Sequence, residues 1–141
     1  MILYSIIFGK EFIDKFFDIC LPSLLTRNNI PSVGEDVTLL IPTIQEDVNY
    51  IKSRLRDCKA GEVFGGRISV IALEADRGAD DSLVSELRVA QVFSFQLLLR
   101  VMAFCIERRE SFLFAAPDCI YSDGVVGSAW ALHRMTGKVV S

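Results

Sequence analysis

Residues 2–25 read ILYSIIFGKEFIDKFFDICLPSLL and contain the first instance of the pattern that predicts the fold. Ile2–Phe8 is rich in β-branched and aromatic residues, which favours a strand, and Gly9 predicts a turn after it. The next apolar residues recur at the spacing of one helix face: Phe12, Ile13, Phe16, Phe17, Cys20 and Leu24. Because Pro22 lies inside this stripe, we expect the helix to kink or to end early, before a loop over Thr26–Pro31.

The same order of strand and helix follows in the next segment. Val37–Ile41 suits a strand buried on both faces, and Pro42 is expected to close it. Thr43 and Glu46 have the spacing of a capping box, in which each side chain accepts a hydrogen bond from the other residue's backbone N–H. The helix that they would start carries three apolar residues on one face: Val48, Ile51 and Leu55. We expect it to stop within Lys59–Gly61, where glycine can cap a helix.

A third strand and a long helix come next. Arg67–Leu73 predicts the strand, and Leu83–Arg108 predicts the helix. The polar segment Glu74–Ser82 joins them and is expected to end in an N-cap at Asp81 or Ser82. The residues that this helix is expected to bury are Leu83, Leu87, Ala90, Phe93, Leu97, Leu98, Val101 and Cys105.

One more unit completes the alternation. Ser111–Ala116 predicts a fourth strand, and a last helix is expected to begin at Asp123–Gly124 and to end at Gly137. Lys138–Ser141 has the composition of the opening of a fifth strand. Strands that alternate with helices predict right-handed βαβ units and a three-layer α/β/α sandwich. Its sheet is expected to be mainly parallel, with four to five strands, as in Rossmann-like folds.

Composition limits the class of protein. A chain of 141 residues with 51% hydrophobic content predicts a single domain over residues 1–141 with a sizeable core. The formal net charge of -3 lacks the positive field that holds a polyanion, so we expect no nucleic-acid partner. The apolar stretch Val89–Ile106 contains Arg100 and several polar residues, which predicts a buried helix rather than a transmembrane segment.

The N-terminus and the cysteines predict a cytoplasmic protein. Met1–Phe8 is apolar but short and lacks the basic region of a signal peptide. The four cysteines are scattered, with no CxxC pair, which favours free thiols in a reducing compartment over zinc binding or disulfides.

The common catalytic and phosphate-binding motifs are absent from the sequence. No GxGxxG follows the first strand, and GxxxxGK[ST], HExxH and GxSxG do not occur. The single histidine, His133, falls inside a predicted helix with no serine or cysteine nucleophile arranged with it, so we interpret it as structural.

The segment Ala115–Gly124 has the composition of a site. Ligands of open parallel sheets bind beyond the carboxyl ends of the strands, and the fourth strand would deliver Asp118 to that edge. There the carboxylate could hold a divalent cation beside a diphosphate, although an Asx-turn explains Asp118 equally well. For Asp123, with Ser122 as the alternative, the N-cap of the last helix is the favoured interpretation.

Two short motifs carry a resemblance to a known family. They are Phe8-Gly9 with Leu21-Pro-Ser-Leu-Leu25 and Asn29-Ile-Pro31 near the N-terminus, and Pro117-Asp118-Cys-Ile-Tyr-Ser-Asp123-Gly124 near the C-terminus. Together they resemble the nucleotide-sugar-binding half of glycosyltransferases of the GT-A fold, in particular bacterial sugar-transferase-like proteins. The resemblance covers the two ends of the chain, and the middle matches only in its order of strands and helices.

The resemblance implies a ligand, a cation and a set of site residues. In that family a nucleoside diphosphate sugar lies across the carboxyl ends of the first strands, and an Asp-x-Asp element binds Mn²⁺ or Mg²⁺ through the diphosphate. Asp118 matches the second aspartate, and Ala116 replaces the first. By position, Phe8, Gly9 and Thr43 would line the base and ribose. Asp76 and Arg77, after the third strand, would face the ribose or phosphate, unless they belong to a solvated loop.

The sequence therefore supports three hypotheses. The first is the donor-binding domain of a glycosyltransferase; the family places its acceptor site and catalytic base in a second half, so no catalytic residue is assigned here. The second is a non-catalytic α/β interaction module that self-associates as a homo-oligomer or pairs with a missing half. The third is a flavodoxin-like receiver or small-ligand domain. The receiver version would require an acidic cluster after the first strand, where Phe8, Gly9 and Lys10 stand instead.

Overall fold

A four-stranded sheet organises the chain. The computed structural model describes residues 1–34, 36–73 and 83–137, with the backbone alone for residues 83–94. The strands are β1 (Ile2–Tyr4), β2 (Thr38–Ile44), β3 (Ile68–Leu73) and β4 (Phe112–Phe114). They lie in the order β3-β2-β1-β4, and each neighbouring pair is parallel. The predicted α/β fold with a parallel sheet is confirmed.

Helices follow each strand. They are α1 (Lys10–Lys15), α2 (Leu21–Leu24), α3 (Val48–Asp57), α4 (Ala60–Phe64), α5 (Leu83–Arg108) and α6 (Val125–Thr136). A π-helical turn, Phe16–Cys20, joins α1 to α2, so that residues 10–24 follow one helical path. This wide turn ends at Cys20, two residues before Pro22. The Pro22 nitrogen carries no hydrogen, so it cannot donate the helical hydrogen bond to a carbonyl oxygen of the preceding turn. The path runs through Pro22 to Leu24, the last residue of the predicted stripe, so the proline does not end the helix early.

One face of the sheet carries the hydrophobic core. Leu3 is in register with Leu39 of β2 and with Leu113 of β4, and Leu39 is in register with Ile68 of β3. Since successive side chains of a strand alternate between faces, these four residues lie on the same face. The buried helical residues of this core are Ile13, Phe16, Phe17, Cys20, Leu21, Leu24, Ile51, Ala60 and Phe64.

The opposite face belongs to α5. The chain passes from β1 to β2 to β3 in one direction and then returns to β4 on the far side of β1, so a right-handed crossover places α5 opposite the earlier helices. α5 contacts β3. Tyr4, which alternates with Leu3, is fully buried and lies against the rings of Phe112 and Phe114, with centroids 5.9 and 6.3 Å away. Burial raises the pKa of Tyr4 to about 12.

Pro42 lies inside β2, so the prediction that it closes the strand is wrong. The carbonyl oxygens of Leu40 and Pro42 accept hydrogen bonds from Ser5 and Ile7, which shows that the Pro42 backbone faces the β1 side of the sheet. Because β1 ends at Tyr4, Pro42 sits beyond the β1–β2 ladder, where a residue without an N–H is tolerated, while it stays in register with Ile71 of β3.

The predicted ends of the second helix are also wrong. Thr43 is part of β2, a short 3-10 turn, Gln45–Asp47, follows it, and α3 begins without a side-chain cap. The capping box is therefore not formed. Gly61 lies within α4, and the left-handed residue that ends this helix is Gly65, with φ of 56°.

The long helix has the predicted bounds but not the predicted burial. Of the predicted stripe from residue 95 onward, Cys105 is buried, while Leu97, Leu98 and Val101 are half-buried. The rest of that stripe, and the segments Glu74–Ser82 and Lys138–Ser141, lie outside the described side chains. Phe12 is exposed rather than buried, since Ile13 and Phe16 face the core.

Among the described helices, none combines the length and the apolarity that crossing a bilayer requires.

Candidate functional site

The order of the strands reverses between β1 and β4. β2 and β3 lie on one side of β1, and β4 lies on the other. Open parallel sheets bind their ligands at such a switch point. The segments that border it are Ser5–Gly9 after β1 and Ala115–Asp118 after β4. We use the name β1–β4 crevice for the part of the sheet edge that these two segments border.

The floor of the β1–β4 crevice is held by hydrogen bonds. The Ser5 hydroxyl donates to the Ala115 carbonyl oxygen at 2.8 Å, and Ala115 N donates to the Tyr4 carbonyl oxygen at 2.9 Å. The Ala116 carbonyl oxygen accepts from Cys20 Sγ at 3.3 Å and from Cys119 N at 3.2 Å. These bonds fix the backbone on which Asp118 is carried.

Asn29 joins the two motifs that carry the family resemblance. Its buried Nδ2 donates to the carbonyl oxygens of Ser23 and Ser122, at 2.8 and 3.1 Å, and to Thr26 Oγ1 at 3.0 Å. Its Oδ1 accepts from Val126 N at 3.0 Å, in the first turn of α6. A side chain almost one hundred residues away in sequence therefore caps this helix.

The expected N-cap role of Asp123 or Ser122 is wrong. Gly124 is the residue that starts α6, with φ of 84°, and no side chain of its own segment caps the helix. Asp123 instead accepts from Asn28 Nδ2 at 2.8 Å, and this bond, followed by one from Thr26, lowers the pKa of Asp123. Periodicity along the sequence cannot reveal a cap that comes from a distant loop.

Gly127 brings α6 close to that loop. A Cβ atom added at Gly127 would lie 2.5 Å from the backbone oxygen of Asn28 and in contact with Ser32 Oγ. Only a glycine allows this approach, which places α6 and the β4 segment against residues 28–32.

The Phe8–Gly9 turn lies at the mouth of the β1–β4 crevice. Gly9 is exposed, has φ of 78°, and a Cβ at its position would meet nothing within 4 Å. Its N–H donates to Asp47 Oδ2 at 2.6 Å, at the start of α1. The Asp47 carboxylate therefore accepts the hydrogen bond of the first backbone N–H at the start of this helical path. The sequence did not suggest this contact.

Asp118 is exposed at the end of β4. Lys15 pairs with Glu11 at 2.6 Å; this hydrogen bond raises the pKa of Lys15, and the negative charge of Asp118 adds to the increase. Within the described residues, no cluster of three or more His, Cys, Asp or Glu side chains could enclose a metal ion. A cation at Asp118 would therefore take its other ligands from a bound diphosphate and water, which is the usual arrangement for Mg²⁺.

Thr43 is not at the surface. It lies on the core side of β2, is fully buried, and its hydroxyl has no hydrogen-bond partner. The other two predicted site residues, Asp76 and Arg77, lie outside the described residues.

A charged cluster that the sequence analysis missed clamps α1 to α3. Asp14 accepts from Lys10 Nζ at 2.6 Å, from the Tyr50 hydroxyl, and from Arg54 at 2.7 Å, while Arg54 also pairs with Asp18. The bonds from Lys10 and Tyr50 lower the pKa of Asp14. The four-residue spacing of Lys10 and Asp14 was a detectable signal for part of it.

His133 has a serine beside it after all. Its Nε2 lies 3.3 Å from Ser111 Oγ, and its ring lies 5.6 Å from that of Trp130. Ser111 directly precedes β4, so the pair lies at the amino edge of the sheet, away from the β1–β4 crevice.

No protein-family model, no curated protein and no solved structure matches this chain.

Proposed function

We propose that the chain is the donor-binding domain of a glycosyltransferase and that it binds a nucleoside diphosphate sugar in the β1–β4 crevice. The observation that carries the proposal is the strand order β3-β2-β1-β4, since nucleotides bind where such an order reverses. The Phe8–Gly9 turn and Asp118 border that point on its two sides. These are residues that the family resemblance implied.

The contacts around Asn29 support the pairing of the two motifs. Short motifs at opposite ends of a chain are weak signals when taken singly. Here they meet through Asn29, through the bond from Tyr121 N to Ser23 Oγ at 3.0 Å, and through the bond from Asn28 to Asp123. These bonds hold the segment after β4 in one conformation before any ligand binds. A binding site that needs Asp118 in a fixed position requires such support.

Each side of the crevice has a proposed part in binding. Phe8 and Gly9 would contact the base and ribose, and the open space at Gly9 leaves room for a ligand to approach the backbone. Lys15, near Asp118, would attract the diphosphate. Thr43 is left out of the proposed set, because its side chain is fully buried on the core side of β2. Asp76 and Arg77 stay in the set on the family resemblance alone.

Asp118 would hold Mn²⁺ or Mg²⁺ against the diphosphate. When bound there, the cation would neutralise charge on the departing nucleoside diphosphate as the anomeric carbon is attacked. With Ala116 in place of a first aspartate, this chain offers one carboxylate from the motif. We therefore expect the cation to bind weakly alone and more tightly with the donor.

Titration calorimetry with UDP-, GDP- and CDP-sugars, with and without Mn²⁺, tests the proposal. We expect one donor to bind in the presence of Mn²⁺ and Asp118→Asn to weaken it at least about tenfold, about 1.4 kcal/mol. The control is Asp36→Asn, an exposed carboxylate just before the amino end of β2, which should bind as the unmodified protein does. Absence of binding by every donor, or equal binding by Asp118→Asn, would overturn the proposal.

A further inference from the structure

Two of the four cysteines meet at the end of β4. Cys20, the last residue of the π-helical turn, is fully buried, and its Sγ donates to the Ala116 carbonyl oxygen at 3.3 Å. The same oxygen accepts a hydrogen bond from the backbone N–H of Cys119 at 3.2 Å, which closes a tight turn over residues 116–119. The thiol of one cysteine and the backbone of the other therefore bind one oxygen atom.

Cys119 is held between two contacts with the same helical turn. On one side of it is the bond from Cys20 to Ala116, and on the other side Tyr121 N donates to Ser23 Oγ at 3.0 Å. Ser23 lies one turn after Cys20, and its hydroxyl donates to the Cys20 carbonyl oxygen at 2.7 Å. Both ends of the segment that carries Cys119 are thus fixed beside Cys20, which keeps the two cysteines close together.

The two thiols differ in their access to solvent. Cys119 is exposed, while Cys20 is buried. Burial raises the pKa of the Cys20 thiol to about 12, and the charges of Cys119 and Asp118 add to this increase, which agrees with the short distance between the cysteines. A dissolved oxidant can therefore reach Cys119, whereas the surrounding core shields Cys20 from it.

We propose that Cys20 and Cys119 form a reversible oxidation site, in which hydrogen peroxide converts the two thiols to a disulfide. The disulfide ties the turn that carries Asp118 to the helical path of residues 10–24. It also ends the hydrogen bond from Cys20 to Ala116, because a disulfide sulfur has no hydrogen to donate. The proposal does not depend on nucleotide-sugar binding.

The reaction takes two steps, in which the thiols are oxidised and the peroxide is reduced to water. The Cys119 sulfur attacks one peroxide oxygen, the O–O bond breaks, and the leaving hydroxide takes the thiol proton to form water. Cys20 Sγ then attacks the sulfur of the Cys119 sulfenic acid. The S–O bond breaks, and the hydroxyl group leaves with the Cys20 proton as a second water. Since Cys20 is protonated at neutral pH, we expect the second step to be the slower one.

The other two cysteines lie in different parts of the fold. Cys58 follows α3, and its Sγ donates to the Leu55 carbonyl oxygen at 3.5 Å. Cys105 is buried in α5, on the opposite face of the sheet from Cys20. A disulfide requires the Cα atoms of its two cysteines to lie within about 7 Å, a condition that the shared contact with Ala116 favours for Cys20 and Cys119.

Mass spectrometry of the full chain tests the site. The reduced protein is treated with hydrogen peroxide, its remaining thiols are capped with N-ethylmaleimide, and the chain is digested without reductant. We expect two of the four cysteines to escape capping and to appear as one cross-linked pair of peptides, which contain Cys20 and Cys119. Dithiothreitol added before capping should return all four thiols.

Three variants and a control separate the roles of the two cysteines. Cys119→Ser changes an exposed residue, so it should fold normally and form no disulfide. Cys20→Ser should stop at the Cys119 sulfenic acid, which dimedone traps. Cys58→Ser is the matched control and should form the disulfide as the unmodified protein does. Asp118→Asn should also form it, which separates this proposal from donor binding.

Several outcomes would overturn the proposal. They are a chain that peroxide leaves unmodified, a cross-link between two copies of the chain, a disulfide that involves Cys58 or Cys105, and oxidation of Cys119 alone while Cys20 remains a thiol. A yield of the Cys20–Cys119 pair no higher than in the urea-unfolded chain would also overturn it, because the fold would then not bring the two cysteines together.

Discussion

The two parts of the chain bury their apolar residues very differently. Among the described side chains, eighteen buried hydrophobic residues lie between Ile2 and Phe64, and three lie between Cys105 and Val126. Exposed large hydrophobic residues show the reverse: two precede residue 73, and ten lie between Phe95 and Met135. The first part forms a closed core, and the second part displays its apolar side chains.

The difference follows from how the sheet is covered. The helical path of residues 10–24, with α3 and α4, packs on the core face of the sheet. The opposite face receives α5, of whose described side chains Cys105 alone is buried, and β4 pairs only with β1 among the strands that the structure describes. The two parts of the chain have similar hydrophobic content. They differ in how many of those side chains are buried in the core and how many are exposed at the surface.

The largest expected effect comes from a matched pair of phenylalanines. Phe16 is fully buried, 5.2 Å from the Phe17 ring, while Phe95 is exposed. We expect Phe16→Ala to lower the free energy of unfolding by about 3–5 kcal/mol, because it leaves a cavity. Phe95→Ala should change it by less than about 0.5 kcal/mol, because the side chain is exposed. Equal losses in urea titrations would abolish the distinction between the two parts.

Asn29 tests the contact between the two parts, since it belongs to the first part and binds Ser122 and Val126 of the second. Asn29→Ala would leave buried polar groups of both motifs without partners, including the Val126 N–H. We expect a loss of about 2–4 kcal/mol, from a missing cap and unsatisfied groups, again by urea titration. Asn28→Ala is the control, since its bond to Asp123 is exposed and its loss should be small. A loss for Asn29→Ala no larger than the control's would contradict this account.

The close contact at Gly127 predicts a smaller loss. Gly127→Ala forces a methyl group against the Asn28 backbone, and we expect a cost of about 1–3 kcal/mol. Gly61→Ala, in α4 with open space around it, should instead raise stability by about 0.4–1 kcal/mol. Thermal unfolding of the two variants should move the midpoint in opposite directions, and a common direction would show that α6 does not press on this loop.

Thr43 is the exception inside the well-packed part. Its hydroxyl is the only buried side-chain N or O atom without a partner among the described residues. Thr43→Val removes that group and should raise the free energy of unfolding by about 1 kcal/mol. Thr38→Val, on the same strand but half-buried, should have a smaller effect. A clear loss of stability in Thr43→Val would indicate that the hydroxyl is hydrogen-bonded in solution.

The smallest expected effect is a pH dependence of stability that arises from the Asn28–Asp123 hydrogen bond. The bonds from Asn28 and Thr26 lower the pKa of Asp123 in the folded chain. A carboxyl of this kind stabilises the fold above its ordinary pKa of about 3.9, and the contribution is lost as the pH falls through the folded pKa. We therefore expect the Tm of Asn28→Ala to fall by less than the Tm of the unmodified protein when the pH is lowered from about 5 to about 2. Asn49→Ala, exposed on α3, should follow the unmodified curve.

Much of the fold could be predicted because helices and buried strands repeat locally. The bounds of α5 at Leu83–Arg108, and its alternation with strands, follow from periodicity and from the change in composition at each end. The carboxyl edge as the place of a site follows from the parallel sheet. Asp118 and the Phe8–Gly9 turn could therefore be assigned to that edge in advance.

The errors arose where distant contacts override local signals. Thr43 has the spacing of a cap, but pairing with β3 draws it into β2. Pro42 should end a strand, but its neighbour β1 has already ended there. Asp123 precedes a helix that is capped by Asn29. In each case the deciding partner lies far away in the sequence, where periodicity gives no signal.

The sequence by itself determined the alternation of strands and helices, the α/β class and the large apolar content, because each depends on residues within one or two turns of each other. The tertiary structure decided which apolar residues are buried, how the two motifs meet through Asn29, and that Phe95, Leu99, Met102 and Ile106 of α5 face solvent. These depend on the direction of the crossovers and the position of β4 beside β1, which no local pattern encodes.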